Sequence, residues 1–410
     1  MQYDLAVIGG GAAGLAAAVS ASGSGRKVIV LEAGNAIGKK ILASGNGRCN
    51  LMNSGEPRYY GDSTFAKQVL EYCGIQKQKS FWKSIGLITS EDMENRIYPC
   101  TYQSSTVLLV LKTALKLRNA EIALNTPVTA CEKKADGFFM ITTEKKTYSA
   151  RKVLITTGGP AGRKSGCESC GYDILKNFGH TIHPLKPALV PLITDQKSIS
   201  GLSGIRVKCG ITLMGPNHIP IHSEKGELLF TDKGISGICV MQCGRFIEGS
   251  GYTIEADFAS GLFPDDDALM KELLIRKETF SSMPPETLLI GMINAKIAYA
   301  VMKQAGSAMK GELISDLDAG MLSRIIRTIR HYRIEIISTK DMEDAQVTAG
   351  GADCREFMPE NLESRLVPGL YAAGEILDTD GDCGGFNLMF AFGSGILAGL
   401  NGCTDNLKEG

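Results

Sequence analysis

The chain has 410 residues, more than one ordinary hydrophobic core accommodates, so two or three domains are expected. Apolar residues make up 44% and charged residues 21%, a globular composition, and 44 Lys+Arg against 44 Asp+Glu leave no net charge and no global field to draw in nucleic acid. No apolar run reaches the roughly 18–20 residues of a membrane span, and Met1-Gln2-Tyr3-Asp4 leads straight into an apolar run with no charged leader or cleavage site. The expectation is a cytoplasmic protein with a small-molecule substrate, no membrane or nucleic-acid partner, and cysteines that are mostly reduced.

Leu5-Ala6-Val7-Ile8 reads as a short buried strand. Gly9-Gly10-Gly11-Ala12-Ala13-Gly14 then satisfies GxGxxG, and the Ala-rich run from Leu15 reads as a helix. Lys27-Val28-Ile29-Val30-Leu31 is a second buried strand that ends at Glu32 and Ala33. Strand, glycine turn, helix, strand and acid in about thirty residues is a dinucleotide-binding fingerprint. Gly9 permits the tight turn, Gly11 lets backbone approach a pyrophosphate, and Gly14 lets the helix lie close to the strand. The helix start, with Ala12 and Ala13 in its first turn, offers free N–H groups and a partial positive charge. Glu32 lies 18 residues beyond Gly14, where a carboxylate accepts the ribose hydroxyls of an adenosine and repels a 2′-phosphate.

Two later strands end in the same manner. Val153-Leu154-Ile155-Thr156 runs into Thr157-Gly158-Gly159, and Leu370-Tyr371-Ala372-Ala373 runs into Gly374-Glu375. Gly384-Gly385-Phe386-Asn387-Leu388 then opens a helix rich in small residues. In FAD enzymes of this architecture the last strand ends at an acid that binds the ribityl chain. The next helix points its N-terminus at the flavin N1–C2=O edge, where reduction places negative charge. Coupled to the first motif, this predicts non-covalently bound FAD.

Between residues 188 and 342 the texture changes. Residues 207–213 and 252–258 read as strands, Phe263-Pro264-Asp265-Asp266-Asp267 as a helix start with acids in its first turn, and residues 268–280, 287–304 and 322–329 as helices. The predicted fold class is α/β. A Rossmann-like FAD domain of the two-dinucleotide-binding type (1–187 and 343–410) is interrupted by an inserted β-barrel-like and then helical domain (188–342). The substrate is expected between insert and flavin.

Residues 38–50, Gly-Lys-Lys-Ile-Leu-Ala-Ser-Gly-Asn-Gly-Arg-Cys-Asn, with Asp380-Gly381-Asp382-Cys383-Gly384-Gly385-Phe386-Asn387, closely resemble the BaiN/aminoacetone-oxidase-like family of bacterial flavoproteins. The resemblance runs nearly end to end through Gly179-His180-Thr181-Ile182, Pro187-Ala188-Leu189-Val190-Pro191-Leu192, Leu229-Phe230-Thr231, Gly234-Ile235-Ser236-Gly237 and Val347-Thr348-Ala349-Gly350-Gly351. It implies that Lys39 and Lys40 meet the pyrophosphate, and that Ser44, Gly45, Asn46, Gly47, Arg48 and Cys49 form a turn against the flavin and its phosphates. It also implies that Asn46 and Asn50 bond the ring edge and that backbone at Val128 holds the adenine. Two departures stand out: Asp232 occupies a place where many relatives carry His, and the loop 158–171 carries Cys167 and Cys170.

That CxxC pair lacks a second ligand pair at zinc spacing and reads as two free thiols, so no metal is expected. Cys49 has no cysteine partner nearer in sequence than Cys73, which argues against a dithiol relay. His180, His183, His218, His222 and His331 show no metal or triad spacing and read as core or surface residues. Tyr60, Tyr102, Arg245 and Arg333 are imaginable proton donors, and the sequence elevates none of them. Two chemistries follow from the resemblance. In one, NAD(P)H acts as a transient electron donor to FAD and an activated C=C is reduced, as one family member does with 3-oxo-Δ4 and Δ6 bile-acid intermediates. In the other, an amine such as aminoacetone is oxidised with release of hydrogen peroxide. A flavin-dependent RNA-modification role is the remote alternative.

Overall fold

A computed structural model describes residues 2–23, 25–162, 170–307 and 312–401. The chain forms two compact units, one from residues 1–186 and 346–410, the other from 187–345. Each has its own apolar core.

The first unit is built on a seven-stranded sheet. Its parallel part runs Glu121–Ala123, Val28–Leu31, Gln2–Ile8, Thr147–Ile155, Leu370–Ala372. The first half of Thr147–Ile155 also pairs antiparallel with Phe139–Thr143, which pairs with Val128–Lys133. Residues 5–8, Val28–Leu31 and residues 153–155, the stretches that lead into the turns, are unbroken buried apolar runs, as parallel strands enclosed on both faces require. Register places Ile8 beside Leu31 and Ile155, and Ile155 beside Ala372. Four strands therefore end level, and their glycine- and acid-bearing turns leave from one carboxyl edge, where open α/β sheets bind ligands.

The first helix, Ala12–Ser22, is buried from Ala13 to Ser22. It packs against the C-terminal helix Phe386–Asn401 through glycine: a Cβ at Gly395 would stand 2.3 Å from the Ala13 carbonyl oxygen, and one at Gly399 would stand 2.3 Å from that of Ala17. The contacts rise in step, so the two helices run in the same direction, backbone to backbone. On the outer side of the C-terminal helix, Phe392 meets the fully buried Trp82 edge-on at 4.8 Å.

The second unit is a closed six-stranded barrel with four α-helices among the described residues. The strand order is Leu192–Thr194, Gly234–Ser236, Pro220–Thr231, Arg206–Met214, Thr253–Asp257, Tyr332–Thr339, and back to the first. Inward positions alternate, with Cys209, Ile211 and Leu213 on one strand and Tyr332, Ile334 and Ile336 on another, and closure leaves no bare strand edge. The fold class is the expected one. One helix is not: the stretch expected over 287–304 divides into a short 3-10 turn, Pro285–Leu289, and the helix Ala295–Gln304. Gly291 at φ 88° breaks the run, and Asn294 accepts the Lys296 N–H to restart it.

Candidate functional site

The GxGxxG turn is fixed on its protein side and open on the other. Gly9 has φ 109°, and a Cβ there would sit 2.5 Å from the Thr156 carbonyl oxygen, so glycine is required. At Gly14 a Cβ would stand 2.0 Å from the Gly9 oxygen, while at Gly11 it would meet nothing within 4 Å. Thr156 shares its hydroxyl proton between the carbonyls of Ile8 (3.0 Å) and Gly9 (2.9 Å) and holds the turn to the neighbouring strand end. The first helix has Gly11 at its N-cap and no side-chain acceptor, so its leading N–H groups face the open side without a partner.

Glu32 is half-buried and accepts N–H bonds from Gly10 (2.8 Å) and Gly34 (2.7 Å), which leaves acceptor capacity on each oxygen. The segment around Glu32 and Ala33 is laced to the approach to Val128: Thr126 donates to the Glu32 carbonyl at 2.8 Å and Asn125 to that of Gly34 at 2.9 Å. Glu32, Ala33 and Val128 therefore share one end of the site.

At the third and fourth strand ends, Glu375 accepts the Thr348 N–H at 2.9 Å and pairs with Lys40 at 2.8 Å. A Cβ at Gly158 would stand 3.7 Å from the same carboxylate, which brings the Thr157-Gly158-Gly159 turn alongside. Gly374 donates its N–H to Ser394 at 3.0 Å and lies against Ala13. Lys40 thus reaches across the site to the last-strand acid. Lys39 lies beside Gly34, near Glu32.

The segment Ser44–Gly47 is a tight turn with Gly45, Asn46 and Gly47 all at positive φ, and Gly45 to Arg48 are exposed. Cys49 and Asn50 behind it are buried. Burial pushes the Cys49 thiol up to about 11, so it is inert at neutral pH, and it is a free thiol. The Asn50 Oδ1 is buried with no hydrogen-bond partner, 2.6 Å from where a Cβ of Gly385 would be. Gly385 at φ 108° delivers the chain to the C-terminal helix. Asn387, expected to contact a cofactor, spends its side-chain amide on Gly381, accepting its N–H at 2.8 Å and donating to its carbonyl at 2.7 Å. What this helix start with Phe386 and Leu388 retains for a ligand is backbone N–H.

FAD fits this arrangement. The first helix starts open at Gly11, and Ala13 is level with Gly395, so the start of the C-terminal helix lies eight residues, about 12 Å, beyond the start of the first. A dinucleotide that reaches from one helix start to the other meets an orphaned buried amide oxygen, Asn50 Oδ1, at the far end.

Sequence reasoning missed several supporting groups. Thr348 also accepts the Ala161 N–H at 3.1 Å. Asn53 donates to the Gly384 carbonyl at 2.9 Å, and Tyr59 donates to the Phe386 carbonyl at 2.8 Å. Only Thr348 carried a signal, within the Val347–Gly351 motif. Of the imaginable proton donors, Tyr60 lies near the last helix and bonds Asp382, while Tyr102 is exposed against Tyr98. Arg245 and Arg333 belong to the barrel unit. Asp232 accepts a hydrogen bond from Ser203, and Cys167 and the Cys170 side chain lie outside the described residues. No cluster of three or more His, Cys, Asp or Glu among the described residues could hold a metal.

The fold also assembles a Glu-His-Ser line that spacing did not reveal: Glu356 Oε2 is 2.7 Å from His180 Nδ1, and His180 Nε2 is 2.9 Å from Ser364 Oγ. It is not a nucleophile. His180 is 3% exposed and stacks on Phe357, and Ser364 Oγ already accepts N–H bonds from Leu366 (3.0 Å) and Val367 (2.9 Å). Burial lowers the His180 pKa below its ordinary value against the pull of Glu356, so the group is a neutral structural tie.

The sequence profile of the HI0933-like protein Rossmann domain matches residues 3–401. The 3-dehydro-bile acid delta(4,6)-reductase of Clostridium scindens is 33% identical over 407 residues, 96% of this chain and 98% of that one. The ribosomal RNA dihydrouridine synthase of Haemophilus influenzae is 28% identical over 96% of this chain and 97% of that one. Among solved structures, the open form of a flavocytochrome c3 fumarate reductase aligns with TM-score 0.49 and 14% identity, covering 98% of this chain and 78% of that one.

Proposed function

The chain belongs to the HI0933-like Rossmann-domain family, and from that premise we propose that it is an FAD-dependent oxidoreductase that saturates a C=C bond conjugated to a carbonyl, with NAD(P)H as transient electron donor. The observation that carries this reading is the pair of parallel helices whose starts are offset by about 12 Å, with the orphaned Asn50 Oδ1 at the far start. A nicotinamide nucleotide needs only the first of these.

The names of two relatives converge on one chemistry. A delta(4,6)-reductase and a dihydrouridine synthase each saturate a C=C whose electrons are drawn toward a carbonyl. FAD, when bound, supplies hydride transfer to the β carbon of such a system. In this reading the first helix start holds the pyrophosphate, Glu32 the adenosine ribose, and Glu375 with the Thr157–Gly159 turn the ribityl chain. The Asn50 side chain accepts a hydrogen bond from the ring edge, and the start of Phe386–Asn401 holds the negative charge that reduction brings. The greater identity of the bile-acid reductase favours a small steroid-like enone as substrate.

Anaerobic stopped-flow on the holoprotein tests this. NADH or NADPH is expected to bleach the flavin, and a 3-oxo-Δ4 steroid to restore its colour. Bleaching by aminoacetone instead, with no response to NAD(P)H, overturns the reductase in favour of an amine oxidase. Reoxidation by a ribosomal RNA transcript and not by the steroid moves the substrate to uridine. A colourless protein that does not take up FAD overturns the whole reading.

A further inference from the structure

A carboxylate is buried at the helix start proposed to meet the flavin. Asp382 is 2% exposed and lies four residues before Phe386. Two groups from a distant stretch of chain enclose it: Arg58 Nε lies 2.6 Å from its Oδ2, and Tyr60 donates its hydroxyl to Oδ1 at 2.9 Å. The backbone joins in, with Asp382 N–H donating to the Arg58 carbonyl at 3.2 Å and the Asn387 amide bonding the Asp382 carbonyl at 3.4 Å. The carboxylate end of this pair is dry, whereas the Arg58 side chain is 55% exposed.

The position conflicts with flavin reduction. Two electrons and one proton convert FAD to an anion with its charge at N1. The start of the last helix favours that charge with roughly half a positive unit, and an uncompensated carboxylate a few residues away opposes it with a full negative one. Inside a protein such a charge is felt strongly because little water screens it. Resting on the FAD reading above, we infer that Arg58, with Tyr60, neutralises Asp382 and thereby sets the reduction potential of the bound flavin. They are positioning residues acting through Asp382. Asp380 is buried nearby as well, but it is unchanged in every variant below and so cancels in the comparison.

The test is anaerobic dye equilibration of holoprotein, which reads the ratio of reduced to oxidised flavin without reference to turnover. Arg58→Ala is expected to lower that ratio at least tenfold at fixed potential, about 30 mV for a two-electron couple, and Arg58→Lys to restore most of it. Asp382→Asn is expected to raise the ratio. Arg58→Ala combined with Asp382→Asn removes one charge of each sign and is expected to return the ratio to near the wild-type value, between the two single variants; two lost structural contacts would not cancel in this way. Tyr60→Phe, which removes one donor and no charge, is expected to lower the ratio by about threefold and stands in if Asp382→Asn does not fold. A ratio for Arg58→Ala within twofold of wild type, or a double variant as low as Arg58→Ala, overturns the inference while leaving the FAD reading intact. A wild-type protein without flavin overturns that reading instead.

Discussion

Three helices in the barrel unit close their own N-terminal ends with a side chain, while Ile238–Cys243 starts at Gly237 without one. Asp265 accepts the Ala268 N–H at 2.8 Å for Asp266–Thr279, Asn294 the Lys296 N–H at 3.0 Å for Ala295–Gln304, and Asp318 the Met321 N–H at 2.6 Å for Ala319–Arg330. Ala12–Ser22 in the sheet unit starts at Gly11 with no such acceptor and open space where a side chain would be. Capping does not divide by unit: Ser63–Tyr72 in the sheet unit is capped by Asp62, whereas Ile75–Ser84 and Ser104–Leu117 start without a side-chain acceptor. Every helix start leaves N–H groups that need acceptors. What sets the helix at the glycine turn apart is that its uncapped start also faces open space at Gly11, the place the proposed function gives to the pyrophosphate.

The helix contacts differ as well, and the largest effect is expected there. Gly399 lies where a Cβ would come within 2.3 Å of the Ala17 oxygen, whereas Ser323 sits on the exposed face of Ala319–Arg330. Gly399→Leu is expected to destabilise the sheet unit by about 4 kcal/mol or more, and Ser323→Leu to stay within about 0.5 kcal/mol of wild type. Urea denaturation of both variants checks this, and equal midpoints would remove the distinction between backbone-to-backbone and side-chain packing. The next largest effect converts one kind of helix start into the other. Gly11 has φ −85°, open to any residue, so Gly11→Asp is expected to leave the apoprotein folded and cap its first helix. FAD affinity should then fall about a hundredfold, near 2.8 kcal/mol, because the new carboxylate occupies the place of the phosphate. Titration of apoprotein with FAD reads it, and unchanged affinity would mean that the open start serves no anion.

How much of this was legible depends on how far apart in sequence the partners lie. The glycine turn, Glu32 and Glu375 each follow an apolar strand directly, so local pattern fixes their place at the sheet edge once the strands are parallel. The Lys40–Glu375 pair spans 335 residues and the Tyr60–Asp382 bond 322, and no local pattern reports such a meeting. The motif led Asn387 to be read as a ligand group because it marks the helix start, and only the fold shows that its amide is already spent on Gly381. His180 is the same case: its partners Glu356 and Ser364 lie 176 and 184 residues away. Because burial holds the folded-state His180 pKa below that of the unfolded chain, its contribution to stability is whole above about pH 6.5 and is lost as pH falls from there toward the lowered folded value. His180→Gln is expected to cost about 2 kcal/mol at pH 7.5 through the buried bonds it breaks, and to flatten the fall in Tm between pH 7 and 5. A fall as steep as that of the wild type would assign the acid sensitivity to another group.

The smallest effect returns to the capped ends. Asp265→Ala removes the acceptor for the Ala268 N–H and should cost about 1 kcal/mol, the usual worth of such a cap. Asp266 and Asp267 remain in the first turn to face the helix dipole, so the helix should persist and FAD affinity should not move. Paired with Gly11→Asp, this makes a crossed design: one substitution changes stability and not affinity, the other affinity and not stability. If Asp265→Ala lowered FAD affinity as much as Gly11→Asp does, loss of binding would report general destabilisation, and the open start at Gly11 would lose its claim to be a phosphate site. Thermal denaturation and FAD titration on the same two preparations decide between these outcomes.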